Sequence, residues 1–93
     1  MMMSDIQVIR QLARAEAEAL GVFDWPVWSK GPSTFEWHYD TEERCYLVAG
    51  EVEVIPETGA AVVVGAGDFV TFPAGLSCTW QVRQALKKHY SFG

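Results

Sequence analysis

Apolar and polar residues follow two different patterns along the chain, and the change falls at Gly21. The second half of residues 4–21 is rich in Ala, Glu and Leu, which favour helices. Four apolar residues there have helical spacing and predict a shared apolar face: Leu12, Ala15, Ala19 and Leu20. Gly21 is a typical helix stop. Residues 6–9 are short and β-prone, which predicts a strand leading into the helix.

From Val27 onward, β-branched and aromatic residues dominate and are interrupted by turn signals. Residues 35–39 and 51–54 alternate with a period of two, which gives each strand one wet and one dry face. The turn signals are Gly31-Pro32, Asp40-Thr41, Ala49-Gly50 and residues 56–59, 65–67 and 73–75. Beyond Gly50 they recur about every eight to nine residues, as in small antiparallel sandwiches and barrels. The pattern predicts an all-β domain with one short helix and roughly eight to ten short strands.

Composition indicates a single folded domain. The chain has 93 residues, of which 49% are hydrophobic and 20% charged, values typical of a globular protein. No repeat, linker or low-complexity segment divides it. We therefore predict one domain over residues 1–93, with a strand-and-helix arm over about 1–21 and a β-barrel over 22–93.

The charge balance argues against two classes of partner. The formal net charge is −5, and the seven Lys and Arg residues form no stripe, so neither nucleic acid nor an anionic membrane surface is expected to bind. No apolar run is long enough to span a bilayer, and the start lacks signal-peptide features. The two cysteines then suggest reduced thiols in a cytoplasmic protein.

Two glycine-punctuated motifs stand in order along the chain. Glu43 lies seven residues before Gly50, and later Gly67, Pro73 and Gly75 form a Gly-x5-Pro-x-Gly turn before a strand. This pair resembles the two motifs of the cupin superfamily. The resemblance implies a double-stranded β-helix, a jelly-roll barrel that holds one small ligand among its inward side chains. It also implies a homodimer, which is common among cupins.

A narrower resemblance covers nearly the whole chain. Its segments are Asp24–Trp28, Phe35–Asp40, Glu43–Tyr46, Gly67–Pro73 and Lys88–Tyr90. They look like the small stand-alone cupins related to the ureidoglycine aminohydrolase cupin domain, many of which have no assigned activity.

The resemblance also locates the positions that bind metal in other cupins. It places Trp37, Tyr39 and Cys78 where those proteins carry histidines, and Glu43 where they carry a glutamate. Of these, Glu43 is a typical ligand, and Cys78 as a thiolate would bind zinc. His38 would join them only through a bulge that turns it inward. Glu43, Cys78 and His38 are therefore the candidate ligands of a possible divalent metal. The alternative is a metal-free barrel in which Cys78 is a small apolar filler.

The predicted ligand pocket combines aromatic rings with one carboxylate and two thiols. Its residues are Trp37, Tyr39, Glu43, Cys45, Phe72, Cys78 and Trp80, with His89 as a candidate donor at the mouth. Such a pocket suits a neutral or cationic small molecule.

Three functions stay open at this point. The favoured one is a small-molecule-binding cupin. The second is a metal-dependent enzyme resembling ureidoglycine aminohydrolase, and the third is an oligomerisation module with a filled barrel. Whether the protein is an enzyme is not decided by the sequence, because a fold does not fix a function.

Overall fold

The computed structural model describes residues 6–93, which form seven strands and one short helix. In chain order the elements are β1 (Gln7–Ile9), α1 (Arg14–Ala19), a 3₁₀ turn (Val22–Asp24), β2 (Val27–Lys30), β3 (Ser33–His38), β4 (Glu43–Pro56), β5 (Val62–Gly65), β6 (Phe69–Phe72) and β7 (Ser77–Phe92). The predicted all-β class with one short N-terminal helix is confirmed. So are the strand before the helix and the helix end at Gly21, whose φ is 79°.

The two long strands β4 and β7 pair antiparallel and form the central ribbon of the sheet. Along the edge that faces away from β7, β4 pairs first with β6 and further along the strand with β5. Along the edge that faces away from β4, β7 pairs first with β3 and further along the strand with β2. β1 extends the sheet from β6. The inward side chains of this rolled sheet meet in one core, which includes Leu47, Val52, Val54, Val70 and Phe72.

The prediction of eight to ten short strands was wrong because Ala49-Gly50 is not a turn. These residues lie inside β4, where the register with β7 shifts between Leu47 and Val52. A β-bulge of this kind bends a strand without ending it. Gly50 has a φ of 91°, and a Cβ at this position would lie 2.2 Å from the backbone oxygen of Ala85. Glycine therefore allows the close approach of β4 to β7 at the bend.

The N-terminal arm is held by Asp68, whose side chain is buried. One carboxylate oxygen accepts hydrogen bonds from the Gly65 amide (2.9 Å) and Arg10 Nη1 (3.0 Å). The other accepts one from the Gln11 amide (3.1 Å). The helix that follows buries Ala17 against Tyr46 and other apolar residues.

The predicted apolar face of the helix was wrong for most of its members. Ala15, Ala19 and Leu20 are exposed and Leu12 is half-buried. The helix has only six residues and contacts the barrel through the small side chain of Ala17. Among the described residues, no helix has the length and apolar character needed to cross a membrane.

Candidate functional site

A cavity of about 160 Å³ is lined by residues of β2, β3, the start of β4 and β7, together with Tyr39. Its walls are mostly aromatic. The lining residues are Trp28, Phe35, Trp37, Tyr39, Glu43, Trp80, Lys88, Tyr90 and Phe92. Strand alternation accounts for seven of these nine residues: the three from residues 35–39 all have odd numbers, and the four from β7 all have even numbers, so each group shares one face of its strand.

The polar part of the cavity wall is an ion pair. Lys88 Nζ lies 2.7 Å from Glu43 Oε2, and the two side chains are only 6% and 3% exposed. The ammonium also lies 4.6 Å from the ring centroid of Trp80 and 5.1 Å from that of Trp28. Cation–π attraction to two indoles is strongest where water is excluded. Lys88 is therefore held in place by a carboxylate and two rings.

Tyr39 lines the cavity near the carboxylate. Its ring is stacked on Phe72 with centroids 5.0 Å apart and planes 6° apart. Burial, and after it the negative charge of Glu43, raise the pKa of Tyr39. The phenol consequently keeps its proton.

The predicted pocket residues fall into two groups. Trp37, Tyr39, Glu43 and Trp80 line the cavity, with Trp37 about half exposed at the rim. Phe72 lies behind the wall, where it is completely buried against Tyr39 and Trp80.

The two cysteines lie outside the cavity lining. Cys45 is completely buried in the core, and this burial raises the pKa of its thiol to about 12. Cys78 is also buried, and it borders a second groove of about 400 Å³ between β3 and the end of β4. Burial raises the pKa of Cys78 as well. Both thiols are therefore protonated at neutral pH, as expected of inert cysteines.

The two histidines also lie outside the cavity lining. His38 is exposed in the second groove, with Nδ1 2.7 Å from Ser77 Oγ and Nε2 3.7 Å from an oxygen of Asp40. His89 lies with its ring 5.3 Å from that of Phe23 and its Nδ1 3.1 Å from the backbone oxygen of Trp25. Neither ring is among the residues that line the cavity.

The donor set does not fit the divalent metal of many cupins. The part of the chain that the structure describes contains no group of three or more His, Cys, Asp or Glu side chains able to hold a metal ion. The ammonium of Lys88 lies beside Glu43, the most typical ligand of the three candidates. A cation at 2.7 Å opposes the approach of a second cation.

Lys88 was not among the predicted pocket residues, although the narrower resemblance covers Lys88–Tyr90 and its neighbour His89 was included. A signal was nevertheless present in the sequence. Lys88 has the same strand parity as Trp80, Val82 and Leu86, all of which are buried. A lysine on the same strand face as these buried residues is expected to point toward the core, and its charge therefore needs a partner.

Comparison with known proteins matches residues 17–90 to the EutQ-like cupin domain. A DUF861 family protein from Thermotoga maritima has a crystal structure with a TM-score of 0.90 at 40% sequence identity, over 96% of this chain and 100% of that one. The Pseudomonas syringae pv. tomato protein of unknown function in the DUF861 family gives 0.65 at 26%, over 72% and 29%.

The Clostridium difficile EutQ protein also has a similar structure, with a TM-score of 0.65 at 21% identity. The likeness covers 71% of this chain but only 52% of EutQ, so it shows the fold alone. None of the curated proteins that were compared matches the sequence. The match over residues 17–90 and the 40% identity to the Thermotoga maritima structure show that this chain belongs to the EutQ-like cupin family.

Proposed function

We propose that the protein binds a small organic molecule in the aromatic cavity. The observation that carries this proposal is the Glu43–Lys88 ion pair, which lines an otherwise mostly aromatic cavity open to solvent. Concave apolar sites with a few convergent polar groups are the usual form of small-molecule sites. A protein that used this barrel only as a packed core would not need a charged pair in its wall.

The cavity volume sets the size of the ligand. An apolar cavity of about 150 Å³ in another protein accommodates benzene. At about 160 Å³, this cavity has room for one six-membered ring, and the open rim at Trp37 and Phe92 leaves space for a substituent. Flat rings also gain from offset or edge contacts with aromatic walls.

The ion pair sets the ligand's charge. Because Lys88 neutralises Glu43, the site has no net charge and does not require a cation. An ammonium group has three N–H donors, of which Glu43 Oε2 takes one. A carbonyl or hydroxyl oxygen on the ligand is the natural acceptor for another. The proposed ligand is therefore a neutral, ring-sized molecule with one polar oxygen.

Tryptophan fluorescence tests the proposal, since Trp28 and Trp80 form part of the wall. Titration with cyclohexanone, phenol and benzyl alcohol should give saturable changes. Lys88→Met should weaken binding at least about tenfold, because a hydrogen bond from a charged donor is worth roughly 1.5–3 kcal/mol. Lys87→Met is the matched control, since Lys87 is the exposed neighbour on the same strand. Non-saturable changes, or equal affinities in the two variants, would rule out this site.

The expected homodimer is also a proposal, and sedimentation equilibrium of the purified chain tests it. A mass twice that of the chain supports the dimer, and a mass equal to it contradicts the dimer.

A further inference from the structure

We propose that Glu43 and Lys88 act as an acid–base pair that needs no metal and moves a proton at the carbon next to the carbonyl group of a bound ketone or aldehyde. This inference rests on the proposed function and makes it narrower. It names the substrate class as a ring-sized carbonyl compound with an enolisable C–H bond, and it gives the site a reaction in addition to binding.

The first support is that opposite chemical roles lie side by side in one cavity wall. The carboxylate of Glu43 can accept a proton, while the ammonium of Lys88 can donate a hydrogen bond to an oxygen that gains negative charge. Their contact of 2.7 Å means that a carbonyl group placed against Lys88 has its α-carbon within a few ångströms of Glu43. A positioned base and a donor to the developing oxyanion both accelerate removal of a proton next to a carbonyl group.

The second support is the burial of both groups. Their side chains are 3% and 6% exposed, and the rings of Trp28 and Trp80 flank the ammonium. Beside such buried groups the effective dielectric constant is lower than in water, so a fixed positive charge stabilises a developing enolate more than it does in water. The indoles also hold the ammonium in place, so little reorganisation is needed as charge develops.

The step is balanced without a further reactant. The α C–H bond breaks and its proton passes to a carboxylate oxygen of Glu43. The electron pair of that bond forms the carbon–carbon double bond of the enolate, and the carbonyl π electrons move onto oxygen, which accepts a hydrogen bond from Lys88 Nζ. Glu43 then exchanges this proton with solvent through the open mouth of the cavity, and return of a solvent-derived proton from Glu43 to carbon restores the ketone, either unchanged or isomerised.

Proton–deuterium exchange tests the inference on the full chain, with cyclohexanone as the probe. In D₂O, the wild-type protein should remove the α-proton NMR signal of cyclohexanone faster than buffer does. Glu43→Gln should lower this protein-dependent rate at least about a hundredfold, the smaller end of what a general base contributes. Glu42→Gln is the matched control on the exposed neighbouring residue and should keep the wild-type rate.

Binding is measured on the same samples by tryptophan fluorescence, which separates the two proposals. Saturable binding without exchange above buffer overturns the proton-transfer role and leaves the binding function standing. No saturable binding overturns both. Exchange at the wild-type rate in Glu43→Gln also overturns the role of Glu43.

A measurement on the unaltered protein covers the case in which a variant does not fold. Cyclohexanol has the same ring but no carbonyl group, so it should inhibit the exchange by competing for the cavity. Exchange that cyclohexanol does not inhibit would place the reaction outside the cavity and overturn the inference.

Discussion

Replacement of Lys88 by methionine is the sharpest test of how the ion pair contributes to the fold. Methionine keeps the length and apolar stem of lysine but removes the ammonium, so Glu43 is left buried without its counter-ion. At 2.7 Å, the attraction between the two charges is about 6 kcal/mol for an effective dielectric constant of 20. Part of this attraction offsets the cost of removing both charges from water.

The net cost follows from that balance. Removal of one partner of a buried pair typically destabilises a protein by about 3–5 kcal/mol, because the other charge stays buried and unpaired. For a domain of this size, each kcal/mol lowers the melting temperature by roughly 4–8 °C. We therefore expect Lys88→Met to lower the melting temperature by at least about 12 °C at pH 7.

Thermal and urea unfolding followed by circular dichroism measure this effect. The exposed Lys87→Met variant should change the free energy of unfolding by less than about 0.5 kcal/mol. The double variant Glu43→Gln, Lys88→Met should recover most of the loss, since no unpaired charge remains. A cost below about 1 kcal/mol for Lys88→Met, or simple additivity in the double variant, would show that the pair is not coupled in the folded protein.

Three further predictions concern other parts of the fold. Asp68→Ala should lower the free energy of unfolding by about 2–4 kcal/mol and increase proteolysis at the N-terminal arm, because it removes three hydrogen bonds. An unchanged rate of proteolysis would contradict the anchoring role of Asp68. In urea unfolding, Gly50→Ala should destabilise the protein more than Gly75→Ala. Both glycines have a positive φ, but of the two only Gly50 has backbone next to the added Cβ, at 2.2 Å. Equal losses of stability would refute the close approach. The free energy of unfolding should fall between about pH 9 and pH 12, by up to about 1.4 kcal/mol per pH unit, because the Cys45 thiol ionises in the unfolded state but not in the folded state. The same pH dependence in Cys45→Ala would contradict this.

The sign of the alkaline effect follows from proton binding. The pKa of the Cys45 thiol is about 12 in the folded state and 9.0 as an ordinary thiol. Below pH 9 both states hold the proton, and the stability is fully present. Above it the unfolded state releases the proton first, which favours unfolding until the folded thiol also ionises.

The sequence predicted the fold class well because its signals are local. Period-two alternation and the turns around Gly67 and Gly75 depend on neighbouring residues only, and the structure has strands and turns there. The long strand through Gly50 was not predicted, because a glycine with positive φ occurs in both turns and bulges. What distinguishes the two is the pairing with Ala85, which is 35 residues away and invisible to a local pattern.

The candidate site was predicted less completely than the fold. Its aromatic residues follow from alternation within one strand, whereas its ion pair depends on a contact between two strands. Strand parity placed Trp37 and Tyr39 on one face, and both line the cavity. The pairing of Glu43 with Lys88 joins residues 45 positions apart along the chain. No motif connects them, so their contact required the folded arrangement of β4 and β7.

This contact changes what the carboxylate of Glu43 implies. From the sequence alone, a glutamate among rings suggested a pocket for a neutral or cationic molecule, or a ligand of a divalent metal. In the structure Lys88 already supplies that charge. A charge that belongs to the chain cannot be removed by chelators and does not vary with metal supply. The chemistry that we propose for the site therefore depends on groups of the chain that accept and donate protons, and the exchange of cyclohexanone protons in D₂O tests that consequence directly.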